Sequence, residues 1–207
     1  MNKRRIIALF RLSGSALTFY VIVSIILTLE SHQQFHAVNF FSYFTNLSNI
    51  LAAVVLLVGS IYLLVRRKSS ATDDLIRGAA VLYMAVTGIV YNVLLIGEDV
   101  GLLSPFNNFV LHTLMPIVVI VDWLYQPQRT KLSSRQTLWW LAFPLLYLMY
   151  SLARGAIIGW YPYPFLNPTK VGGYAAVTLY CLAILGLFLA LSTGLRKLGT
   201  VGRRNIP

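Results

Sequence analysis

Two short stretches of this 207-residue chain carry polar side chains where their surroundings are almost wholly apolar. The first, FFSYFTNLSN from Phe40 to Asn49, leads straight into ILAAVVLLVGSIYLLV. At 100° per residue, Ser42, Thr45, Asn46 and Asn49 fall within about a 100° sector of a helix. The second, FNNFVLHTLMP from Phe106 to Pro116, puts Asn108 and His112 on one face. A hydroxyl and an imidazole make a nucleophile–base pair, in which neutral His112 takes the Thr45 proton. Amide N–H groups can then stabilise an oxyanion, and Asn46, Asn49 and Asn108 are the candidates. Arg154 can hold a substrate carboxylate or reach outward from its helix. The plainer alternative is that these groups only bond membrane helices together, each for about 1 kcal/mol or less.

Positioning these residues requires helices. Six apolar segments read as transmembrane: Arg5 to Leu29, Val38 to Val65, Leu75 to Ile96, Phe106 to Tyr125, Gln136 to Ile158, and Gly173 to Leu195. The expected fold is therefore all-α, with residues 1–207 forming a single six-helix transmembrane domain. From those starts Thr45 lies about seven residues into the second helix and His112 about six into the fourth. Both then sit ~9–11 Å below the same boundary, at matched depth. Arg154 falls ~6 Å below it on the fifth helix. Asp122 is ~15 Å along the helix from His112, too far for a triad, and is expected to meet cations at the other end.

Composition excludes an ordinary soluble domain: 57% of residues are hydrophobic and 11% charged, with a mean hydropathy of +0.71. A net charge of +11 invites a nucleic-acid reading. Its distribution argues for topology instead, because the cations cluster at the ends of apolar runs. Lys3, Arg4, Arg5, Arg11, Arg66, Arg67, Lys68, Arg77, Arg129, Lys131, Arg135, Arg196, Lys197, Arg203 and Arg204 fall on one side. Arg154 and Lys170 alone fall on the other. Both termini are thus expected in the cytoplasm, with MNKRRIIALF as a retained signal anchor in a cell-membrane protein. The single Cys181 excludes a disulfide framework. No metal or other cofactor is implied; His32 and His36 have metal-ligand spacing only if their loop is helical, and a solvated loop fits better. Tyr83, Thr87 and Tyr91 make a ridge on the third helix, for packing or for a pocket wall. The connection GWYPYPFLNPTKVGG, with three prolines, is expected to form a stiff aromatic cap rather than a helix.

The FTNLSN, HTLMPIVVIVDW and GWYPYPF segments resemble the androgen-induced and androgen-dependent multi-pass membrane protein family, and most of all its uncharacterised bacterial members. That resemblance implies a threonine hydrolase of fatty acid esters of hydroxy fatty acids, with Thr45 matching the nucleophile and His112 the histidine. Membrane lipids and a lipid-like substrate are the partners it implies; oligomeric state is left open. Two other classes compete. A small transporter needs polar positions through the whole membrane, whereas LAAVVLLVG and IVVIV are apolar. A non-catalytic sensor or assembly factor would use the polar stripe as helix glue.

Overall fold

The computed structural model describes residues 3–98, 101–126 and 132–201. Six helices in it are long and apolar enough to cross a membrane. In chain order these spans are Lys3–Ser31, Phe44–Leu64, Ala71–Leu95, Pro105–Tyr125, Ser134–Ile158 and Tyr174–Leu198. Short connections make successive spans antiparallel. One end of the bundle, the basic end, therefore holds the starts of the first, third and fifth spans. Of the cations assigned to that side, Arg129, Lys131, Arg203 and Arg204 lie outside the described residues, as does Asp99 of the opposite side.

The first span buries Ile7, Ala8, Arg11, Gly14, Ser15, Thr18, Val21, Ile22 and Ile25. That alternating three- and four-residue spacing makes one seam along the helix. Several of these residues are small, and the second span answers with buried Ala52, Ala53 and Ser60. The two backbones approach closely enough for Ser60 Oγ to donate to the Ala8 carbonyl at 2.8 Å. The third span is the most buried of the six and touches the second, fourth and sixth. Its start is fixed by a capping box between Ser70 and Asp73. Gly78 leaves room for the Trp140 ring, whose Nε1 donates to the Leu75 carbonyl at 2.8 Å.

Asp122 does meet cations of the basic end. Arg11 of the first span donates Nε to Oδ1 at 2.6 Å, and Arg77 of the third donates Nη2 to Oδ2 at 2.7 Å. Three helices are thereby tied by one buried carboxylate.

The second helix is not continuous from Val38. A short helix, Ala37–Phe41, is followed by a break at Ser42 and Tyr43, and the span proper begins at Phe44. Fifth-span side chains hold the break open. Tyr147 Oη donates to the Ser42 carbonyl at 2.8 Å, and Tyr150 Oη bonds Ser42 Oγ at 2.8 Å. Thr45 consequently lies in the first turn of its helix, whereas His112 is in the second turn of the fourth span. The matched depth counted along two unbroken helices does not apply. Between the fifth and sixth spans the proline-rich connection folds back on the bundle, with Phe165 and Leu166 buried. Gly155 makes this possible, since a Cβ there would overlap the Tyr161 ring.

Candidate functional site at the loop end

Opposite the basic end lies a cleft of about 480 Å³. Thr45, Asn46, Tyr91, His112 and Tyr163 line it, with His36 and Glu98. Thr45 and His112 thus face one space, but they do not bond each other. The Thr45 hydroxyl pairs with the Tyr163 phenol at 3.3 Å, and that phenol also accepts the Thr45 backbone N–H at 3.1 Å. Accepting from the amide leaves the phenol proton available to Thr45 Oγ. Burial pushes the Tyr163 phenol up to about 12, so it remains a donor through the neutral range. Its ring stacks on Phe165 at 5.2 Å and meets Tyr43 edge-on at 5.8 Å.

His112 sits in a π-helical turn, Val110–Leu114. Its Nδ1 lies 3.0 Å from the Asn108 carbonyl, which can only accept. The proton must therefore be on Nδ1, leaving Nε2 as the basic nitrogen. The imidazole stacks on Tyr91 at 4.0 Å and an interplanar angle of 21°. Tyr91 begins a second π-helical turn, Tyr91–Leu95. Such turns often mark functional positions in membrane and soluble helices alike.

The turn at His112 has a cause in the sequence. Met115 N–H donates to the Val110 carbonyl. The next donor in register would be residue 116, a proline without an N–H. The Leu111 carbonyl is thus left over, and Asn49 Nδ2 takes it at 3.1 Å. Asn49 also donates to the Thr45 carbonyl at 3.0 Å. Both of its N–H bonds are committed and the side chain is fully buried, so it has no donor to offer an oxyanion. Asn46 donates once, to the Phe40 carbonyl at 2.8 Å, and lines the cleft. Asn108 donates to the Tyr91 hydroxyl and does not line the cleft.

Arg154 stands behind the rim. It donates to Asn39 Oδ1 at 2.6 Å and lies over the Trp160 ring at 4.5 Å, and both of those residues line the cleft. Its Nη1 is buried without a partner. His32 is turned away onto the Thr28 carbonyl, and among the described residues no three potential ligands gather as a metal would require.

A second, apolar space opens between the third, fifth and sixth spans, walled by Val86, Leu145, Leu148, Ile184 and Phe188. Thr87 and Tyr91 line it too, while Tyr83 of the same ridge is core and donates to the Trp140 carbonyl at 2.8 Å. Thr45, Tyr91, Leu95 and Tyr163 line both this slot and the polar cleft. The ridge spacing offered Thr87 and Tyr91 for a pocket wall, which they form, whereas Tyr163 is the residue that spacing arguments passed over. Aromatic type at a proline-flanked position was the only signal for Tyr163. No family model, curated protein or solved structure matches the chain.

Proposed function

We propose that the cleft hydrolyses lipid esters, with Thr45 as nucleophile and His112 as general base. The observation that carries this reading is the place of Thr45 at the junction of a polar cleft and an apolar slot. An amphiphile laid across that junction has its acyl chain in the slot and its ester at the hydroxyl. Thr45 Oγ attacks the ester carbonyl carbon and its proton passes to His112 Nε2. The alcohol leaves with that proton, giving an acyl-Thr45. Water, deprotonated by His112, then releases the fatty acid and restores the hydroxyl. Since Thr45 is bonded to Tyr163 and not to His112, the step needs one cleft water to relay the proton from Thr45 Oγ to His112 Nε2.

Tyr163 and Asn46 are the groups placed to steady the oxyanion. Arg154, behind the rim on Asn39 and Trp160, adds positive charge near the mouth rather than a bond to substrate, and fatty acid esters of hydroxy fatty acids are the substrates implied by the family resemblance. The cation asymmetry supports cytoplasmic termini in the cell membrane, with the cleft opening to the outer leaflet. Asn49, whose donors all go to backbone carbonyls, favours helix glue at that one position and takes no part in the reaction.

The test is covalent labelling of the purified chain by a fluorophosphonate probe, alongside turnover of a hydroxy fatty acid ester. Labelling and turnover are expected in the wild type and absent in Thr45→Ala and His112→Ala variants that melt normally. Unchanged labelling in either variant removes that residue from the mechanism.

A further inference from the structure

The basic end carries a second cleft, of about 700 Å³, that the ester chemistry does not use. Four cations line it: Lys3, Arg11, Arg67 and Arg77. The two at its mouth are held by rings of the same cleft, Lys3 over Tyr125 at 5.1 Å and Arg67 over Tyr62 at 4.5 Å. Deeper in, Arg11 gives Nε and Nη2 to Asp122 and Gln126, while its Nη1 edge, packed against Gly59, takes part in none of these bonds.

Two carboxylates line this cleft, Asp73 and Asp74, and Asp74 is buried at 2% exposed. Asp73 accepts the Ser70 N–H and hydroxyl, both at 2.8 Å, in the capping box. Asp122, behind the lining, is enclosed by the guanidiniums of Arg11 and Arg77. At the mouth Lys3 and Arg67 stand against the single charge of Asp73, so the surface offered there is net cationic.

The wall above the cations is apolar. Leu51, Val54, Val55 and Val58 continue the cleft along the second span. From Gly59 to Leu51 this strip covers ~12 Å of helix. It is open sideways, since Val54 and Val58 are 42% and 37% exposed and Ile76 across from them is 45% exposed. A cationic mouth continuous with a laterally open apolar strip matches one kind of molecule: an amphiphile with an anionic head and an acyl tail.

We propose that this cleft is a binding site for an anionic phospholipid of the leaflet at the basic end. Its phosphate sits between Lys3, Arg67 and the Arg11 edge, and one acyl chain lies along Leu51 to Val58. Soluble phosphate satisfies only the cations and leaves the strip to bulk lipid. A zwitterionic lipid brings its own cation to a mouth that already holds two.

The full chain, purified in a neutral detergent, is titrated with phosphatidylglycerol, with phosphatidylcholine of the same chains, and with inorganic phosphate. Thermal stabilisation gives the apparent affinity. Phosphatidylglycerol is expected to stabilise at the lowest concentration. The double variant Lys3→Gln/Arg67→Gln, altered only at exposed side chains, should weaken phosphatidylglycerol by ~30-fold and leave phosphatidylcholine unchanged. Val58→Trp, which fills the strip without touching a charge, should weaken it as well and serves should the double variant not fold. Equal stabilisation by the two lipids overturns the proposal. So does phosphatidylglycerol binding that survives either variant, or stabilisation by inorganic phosphate that matches the lipid.

Discussion

The two ends of the bundle bury polar groups in opposite ways. At the basic end, Asp122 Oδ1 and Oδ2 together accept three charge-assisted bonds from Arg11 and Arg77, so both oxygens are engaged by cations. At the loop end Thr45 and His112 are neutral, and each is only partly engaged. His112 uses one ring nitrogen and keeps the other, and Thr45 shares its oxygen with one phenol. A saturated group fixes helices in place. A group with one valence remaining, facing a cleft, is available to a substrate. Burial alone does not separate the two: Asp122 is 4% exposed and Thr45 6%.

The largest expected effect lies at the partly engaged end. Thr45→Ala should lower ester turnover by ~10⁴-fold or more, as loss of a nucleophile does, while changing the melting temperature little. Asp122→Ala is its mirror image. Two guanidiniums lose their common carboxylate, and the chain should lose roughly 3–5 kcal/mol of stability, read by chemical unfolding. Residual turnover in the fraction that stays folded should be close to wild type. If Asp122→Ala abolished turnover in well-folded protein, or Thr45→Ala unfolded it, the contrast between the two ends would be wrong.

Asn49→Ala sharpens the comparison inside the loop end itself. It leaves the Leu111 carbonyl buried and unpaired, which costs about 1–3 kcal/mol. Turnover per folded molecule should change little, because Asn49 has no donor facing the cleft. A turnover loss as large as that of Thr45→Ala, at unchanged stability, would return Asn49 to the reaction.

Much of this arrangement was written in the sequence, and the parts that were not have physical reasons. Long apolar runs locate all six spans, since a membrane-crossing helix needs ~20 apolar residues and few other segments have them. Asp122 near cationic helix ends was readable because a buried carboxylate needs partners. The break at Ser42 and Tyr43 was not readable. It depends on phenols of the fifth span, about a hundred residues away, and helical periodicity runs through it without interruption. The meeting of Thr45 with Tyr163 is hidden for the same reason, because the cap's return onto the bundle is a tertiary event. The π-helical turn at His112 was half legible. Pro116 announces a missing N–H, but the choice of Asn49 to satisfy the orphaned carbonyl needed the packing of two spans.

The smallest effect discriminates most finely, because it concerns the one residue that joins the cap to the nucleophile. Tyr163→Phe keeps the ring, its stacking on Phe165 and its contact with Tyr43, and removes only the hydroxyl. Two neutral hydrogen bonds to Thr45 disappear, one with Oγ and one from the backbone N–H, which should slow turnover by ~10-fold. The same variant carries a pH signature. The folded phenol is held up to about 12 against an ordinary value of 10.0, by burial. Below pH 10 neither folded nor unfolded chain ionises this group, so the wild type keeps its full stability advantage over Tyr163→Phe. As pH rises from 10 toward 12 the unfolded chain loses the proton first, and the wild-type advantage must shrink. Unfolding measured for both proteins across that range should show the two curves converging. Curves that stay parallel would mean that the phenol is solvated, and that Thr45 is not covered by the cap.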